Sequence, residues 1–140
     1  MKILFAADGS RFTKKALAFL ATHEWLASPD AELVVLNIQP AVSPRVKSMA
    51  GAGMVYQYQK DEAMAVLEPI EKFLKRHRIA HKSSWAVGPA SALIVKLAAK
   101  EKAHMIVMGT HGHGLLGRAL LGSVSQRVVT DASVPVLLVK

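Results

Sequence analysis

Three glycines and a serine near the end of the chain have the spacing of a phosphate grip. Two residues separate Gly109 from Gly112, nine separate Gly112 from Gly122, and Ser123 follows at once. The apolar run Met-Ile-Val-Met, ending at Met108, leads directly into this stretch. Glycines just past a strand allow a tight turn and bring backbone close to a ligand. Gly122-Ser123 reads as a helix start. The free amides and positive end of a helix attract phosphate, and the Ser123 hydroxyl adds a donor. The segment between, 113–121, would fold over the site, so that two clusters of amides grip one polyphosphate from two sides.

Two other phosphate devices share these letters, and their context fails. Residues 112–117 fit the dinucleotide fingerprint G-x-G-x-x-G. That motif must open a full helix and lead to a second strand carrying an acid at its end. The only later acid here is Asp131, which precedes the last strand. Residues 112–118 also approach a P-loop, but Arg118 stands where its lysine belongs and Ala119 where its metal-binding hydroxyl belongs. His111 and His113 have a spacing used by metal sites, yet third and fourth ligands are missing, which favours a donor near phosphate or a solvated loop residue. Asp8 can cap the first helix together with Ser10, and it also sits where ligands bind in an open α/β sheet. Arg118 can reach a phosphate or point to water, and both remain open. Met105 and Met108 suit a strand core, and Arg127 a surface. His23, His77 and His81 fall at polar edges and receive no role.

The elements that must position these residues alternate. Strands are expected at 2–7, 32–38, 79–87, 103–108 and 134–139. Helices are expected after Ser10 as far as Ser28-Pro29-Asp30, at 56–77 with Pro69 kinking or breaking it, at 90–102 and at 123–130. Residues 40–53, rich in Pro, Ser, Ala and Gly without a clear period, read as a loop. The mixed polarity of 79–87 suggests an edge. This alternation predicts one domain over 1–140: an α/β fold with an open parallel five-stranded sheet and helices on both faces. Ligands in such sheets bind beyond the carboxyl ends of the strands, where the order reverses. That draws attention to Asp8-Gly9-Ser10, Asn37-Ile38, Val87-Gly88 and Gly109 onward.

The pattern Gly-x2-Gly-x9-Gly-Ser, with KILFAADGS at the front, VGPASALIVKLA in the middle and MIVMGTHG, LLGSVSQRVV and VPVLLVK at the close, resembles the universal stress protein family in its ATP-binding branch. The resemblance covers the whole chain. It implies a Rossmann-like sheet of the adenine nucleotide alpha hydrolase type. It further implies that Ala7, Asp8 and Gly9 face the nucleotide, that Ile38 meets the adenine, and that Met108 and Gly109 line adenine and ribose. His111 and Gly112 would approach the phosphates, and Gly122, Ser123, Val124 and Ser125 would hold them. ATP would be the ligand, with magnesium or manganese carried by the phosphates. A homodimer would form through the apolar last strand, which is sticky as a free edge. His104 departs from the family, which usually has Asp there. The position caps or orients the start of the fourth strand, away from the nucleotide.

Composition bounds the rest. The chain has 140 residues, 51% of them hydrophobic, which argues for a folded core. It has no cysteine, so disulfides, thiolate metal sites and cysteine nucleophiles are out. No apolar run reaches the ~18 residues of a membrane span, and the apolar start is too short for a signal peptide, so a cytoplasmic protein without membrane insertion is expected. The net charge of +8 comes from basic residues spread over separate helices, which reads as solvated faces rather than a nucleic-acid surface. The function expected is an ATP-linked stress or regulatory switch with a protein partner. A slow ATPase or nucleotidyl-transferring enzyme is an alternative, but the covering loop holds no Asp, Glu or Gln to orient water. A signalling dimer without nucleotide is the other alternative.

Overall fold

Short apolar runs buried on both sides become parallel strands, because each must hide both faces under helices. The computed structural model describes residues 1–26, 28–112 and 121–140. Its strands are β1 (Lys2–Ala6), β2 (Glu32–Gln39), β3 (His81–Val87), β4 (Met105–Gly109) and β5 (Val136–Val139). They form one sheet in the order β3-β2-β1-β4-β5, with every neighbouring pair parallel. The helices are α1 (Arg11–Thr22), α2 (Pro44–Ala50), α3 (Ala52–Arg76), α4 (Ala90–Lys100) and α5 (Ser123–Asp131).

Alternation along the strands divides the core. Ile3, Phe5, Val35 and Val107 pack with Ala16, Leu17 and Leu20 of α1 and Leu67, Ile70 and Leu74 of α3. Leu4, Val34, Leu36 and Ile106 pack on the other side with Ile94 and Ala98 of α4 and Val128 of α5. The mixed-polarity strand β3 lies at one edge, as its pattern suggests, and β5 at the other.

Three local expectations need correction. Residues 40–53 are not one loop: Pro44–Ala50 is helical, and α3 begins at Ala52, before the expected start at Tyr56. The start signal is chemical, since Ser43 accepts a hydrogen bond from the Val46 amide at 3.2 Å and Pro44 fills the first turn. The period is lost because α2 buries no residue. The first helix ends at Thr22, earlier than expected, and a short 3₁₀ turn follows at Glu24–Leu26. The His23 ring stacks on Phe19 at 3.8 Å with Nδ1 2.7 Å from the Phe19 carbonyl, which turns the chain out of the helix. Finally, of the kink or break expected at Pro69, the break does not occur: α3 continues to Arg76. Burial of Leu67, Ile70 and Leu74 offsets the lost backbone bond.

The amino end of the sheet is held by charge. Glu101 Oε2 meets Lys82 Nζ at 2.8 Å and Lys2 Nζ at 3.6 Å, and Lys82 also approaches Glu32 at 3.7 Å. The hydrogen bond from Lys82, with the charges of Lys82 and Lys2, holds the Glu101 carboxyl below its usual range despite some desolvation. A depressed carboxylate contributes stability above its unfolded pKa of ~4.3, and that contribution is lost as acid protonates it in the folded state. Glu101→Gln should therefore lose less stability than the parent as the pH falls below ~4.3, as read by urea midpoints. His104 also works here. Its Nδ1 accepts the Lys2 amide at 3.0 Å, and its own amide donates to the Lys2 carbonyl at 2.8 Å. This residue therefore fixes the start of β4 against β1, at the end of the sheet away from the glycines.

Two basic residues occupy left-handed backbone at helix ends, Arg78 (φ 56°) and Lys102 (φ 53°). Each closes its helix with paired bonds, as in Lys102 N–H to Ala99 O at 3.1 Å and Ala103 N–H to Ala98 O at 2.9 Å. A side chain costs ~1–2 kcal/mol in this region, and glycine returns ~0.4–1 kcal/mol through the unfolded chain. Lys102→Gly should therefore stabilise the protein by up to about 1 kcal/mol in urea denaturation.

Candidate functional site

The order of the strands reverses between β1 and β4, and a crevice of about 420 Å³ opens beyond their carboxyl ends. Such a switch point is where α/β sheets bind ligands. Ala6, Ala7 and Asp8 line it from the end of β1, Leu36 and Ile38 from β2, and Met108 and Gly109 from β4. Ala90 and Ile94 come from α4, His111 and Gly112 from the loop after β4, and Gly122, Ser123, Val124 and Ser125 from the start of α5. Of the residues that the family resemblance assigns to the nucleotide, all but Gly9 line this crevice; Ser10, Asn37, Val87 and Gly88, also marked in the sequence, do not. Gly9 turns the chain from β1 into α1 with φ +80°.

Asp8 is held by a two-way clasp. Its amide donates to Thr13 Oγ1 at 3.0 Å, and the Thr13 hydroxyl donates back to Asp8 Oδ1 at 2.8 Å. The Ser10 amide reaches the same oxygen at 2.9 Å. Thr13 is buried, so this geometry is shielded from water. The other carboxylate oxygen faces Gly112, where an added Cβ would lie 2.8 Å from Oδ2. Gly109 has a different reason to be glycine: its Cβ would lie 2.4 Å from the Cβ of Phe12. Phe12, in the first turn of α1, thus presses on the backbone that ends β4.

The start of α5 is tied to the end of β4 at two points, and the residue after β4 is tied in turn to β5. Gly122 N–H donates to Thr110 O at 2.7 Å, Ser125 Oγ donates to Gly109 O at 2.9 Å, and Thr110 N–H donates to Val139 O at 3.0 Å. The Ser125 hydroxyl proton is committed to that carbonyl, so toward a ligand Ser125 offers its amide. Gly122 caps the helix without a side chain. First-turn amides have no partner within their helix, and the positive end of the dipole faces the same way. His111 adds a ring packed 5.3 Å from that of Phe12, with Nδ1 2.9 Å from Thr110 Oγ1. The Arg11 guanidinium lies 4.9 Å from the Phe12 ring centre. The result is an apolar slot of Leu36, Ile38, Ala90, Ile94 and Met108 beside a cluster of backbone donors.

Thr13, Leu36, Ala90, Ile94 and Ala6 join the site without having been marked in the sequence. Leu36 shares its strand face with Ile38 two residues on, and Ala90 and Ile94 stand one turn apart after Gly88. The covering segment with His113 and Arg118 lies outside the described residues. Among the described residues no three His, Cys, Asp or Glu side chains gather as for a metal ion.

A sequence model of the universal stress protein family matches residues 1–140. The chain belongs to the universal stress protein family. The relative encoded in the QAH/OAS sulfhydrylase 3′ region of Thermus aquaticus is 56% identical, over 99% of this chain and 97% of that protein. Universal stress protein MJ0577 of Methanocaldococcus jannaschii is 39% identical in sequence, over 99% of this chain and 94% of its own. The solved MJ0577 structure superposes with a TM-score of 0.86 at 30% identity, covering 99% of this chain and 94% of that one. The Archaeoglobus fulgidus universal stress protein in complex with dAMP shares the fold, with a TM-score of 0.73 at 22% identity over 100% of this chain and 98% of that one.

Proposed function

We propose that this universal stress protein binds ATP in the crevice between β1 and β4 and acts as a nucleotide-linked regulatory switch. The observation that carries the reading is the start of α5, pinned beside β4 by Gly122, Thr110 and Ser125 and presenting uncapped amides next to an apolar slot. The residues fit the ligand. A flat base suits the slot of Leu36, Ile38 and Met108, and phosphates suit the amides of Ser123, Val124 and Ser125. The crevice volume lies in the ~300–1,000 Å³ range of small-molecule sites. The A. fulgidus relative in complex with dAMP supports an adenine nucleotide.

Magnesium or manganese would travel with the phosphates, supplying charge neutralisation. This chain's own contribution is positioning: Asp8 is oriented by Thr13, and Gly112 passes close enough to keep it in place. Ligand binding would change the covering segment and hence the surface offered to a protein partner. A homodimer through the free edge of β5 and a cytoplasmic location belong to the same reading. No helix among the described residues is long and apolar enough to cross a membrane.

The direct test is calorimetric titration of nucleotide-stripped protein with Mg-ATP, ADP and AMP, followed by an assay for released phosphate. One saturable site with ATP is expected, with phosphate release at most slow. Absence of saturable binding by any of the three nucleotides ends the proposal.

A further inference from the structure

A second cavity of about 250 Å³ lies between α4 and the edge strand β3, on the face of the sheet opposite α3. Its walls are Leu36, Ser84, Leu93 and Leu97, with Lys96 and Lys100 one helical turn apart along α4. Among the described residues Leu36 is the only one it shares with the nucleotide crevice, where α4 presents Ala90 and Ile94 instead. The groove exists because α4 and α5 cover the middle of this face and leave β3 bare. Lys82 and Ser84 are exposed there, while Leu36 beneath is buried.

The charges around it are of one sign where it matters. Lys96 and Lys100 form no ion pair among the described residues, whereas Glu101 is engaged by Lys82 at 2.8 Å and Lys2 at 3.6 Å. Glu32, the other acid nearby, lies 3.7 Å from Lys82. An apolar trough with two unspent ammonium groups on its rim matches a molecule with an apolar tail and one anionic end. Size narrows the choice. A helix, ~10–12 Å across with its side chains, could place only side chains in so small a space, whereas a single acyl chain can lie in it whole.

We propose that the groove between α4 and β3 binds a medium-chain fatty carboxylate, with the chain on Leu36, Leu93 and Leu97 and the carboxylate between Lys96 and Lys100. The site is independent of the nucleotide reading, since it shares only one wall residue with that crevice.

The test is calorimetric titration of the intact protein with sodium decanoate below its micelle concentration, beside 1-decanol and phosphatidylglycerol vesicles. One saturable decanoate site is expected, at least tenfold weaker in the double variant Lys96→Glu/Lys100→Glu and absent in Ser84→Trp, which fills the trough from an exposed position. Decanol, lacking the charge, should bind more weakly than decanoate. No saturable decanoate binding, or binding that both variants leave intact, overturns the proposal. Capture by vesicles without affinity for free decanoate overturns it too, because it would assign the lysines to a lipid surface. Thermal midpoints of both variants, expected close to the parent because the altered residues are exposed, show that any loss of binding is local.

Discussion

Replacing Gly109 by alanine lowers the stability of the ligand-free protein by about 1–3 kcal/mol, the range for overfilling a packed site. The methyl group would meet the Cβ of Phe12 at 2.4 Å, with the Phe12 carbonyl carbon and the His111 carbonyl oxygen both at 3.4 Å. None of these is the far end of a flexible side chain, so relief requires α1 or the end of β4 to move. Either movement disturbs the pairing of Phe5 with Val107 and the bond from Ser125 to Gly109. The measurement is a urea transition, with a lower midpoint at unchanged slope. Gly53→Ala is the internal control, since none of the described residues comes within 4 Å of its added Cβ near the start of α3. It should be neutral or stabilising by up to about 1 kcal/mol. If Gly109→Ala unfolds at the parent's midpoint, the crowding by Phe12 is not what requires glycine there.

That result bears on what the sequence discloses. The spacing of Gly109, Gly112 and Gly122 was legible, and so was the alternation that puts them beyond a strand. Their separate reasons were not. Gly109 is required by Phe12, nearly a hundred residues away in sequence, and Gly112 by the carboxylate of Asp8. Both contacts arise because β1 and β4 are neighbours in the sheet, and strand order is a property of packing rather than of local pattern. Thr13 escaped notice for a similar reason. At helical spacing it reads as a weak core residue, and only the closed clasp with Asp8 gives its hydroxyl a task. The failure at α2 is of another kind. A helix that buries nothing shows no period, so only the Ser43-Pro44 start could have announced it. Long elements packed against the sheet, such as α3 and α4, were readable because burial imposes the period on them.

On the proposed function, saturating Mg-ATP should raise the stability of the parent by about 2.7 kcal/mol when present at ~100 times its dissociation constant, and Gly112→Ala should remove much of that gain. The variant separates site from scaffold. Among the described residues its methyl group meets only Asp8 Oδ2, at 2.8 Å, and a carboxylate can turn where a backbone cannot. Turning breaks geometry on the other oxygen, which holds the Ser10 amide at 2.9 Å and the Thr13 hydroxyl at 2.8 Å. The ligand-free variant should therefore lose about 1 kcal/mol for the loosened hydrogen bonds and stay folded, while its crevice has lost the orientation of Asp8. A tenfold loss of affinity would cut the ligand-induced gain by about 1.4 kcal/mol at the same ATP concentration. Thermal unfolding of both proteins with and without Mg-ATP reads these quantities directly. A parent that gains nothing rules out ATP in the crevice. A variant that keeps the parent's full gain shows that ATP stabilises the fold without relying on the contact between Gly112 and Asp8. The expected pattern, a large gain in the parent and a smaller one in an otherwise folded variant, would tie binding to the contact between Gly112, after β4, and Asp8, at the end of β1.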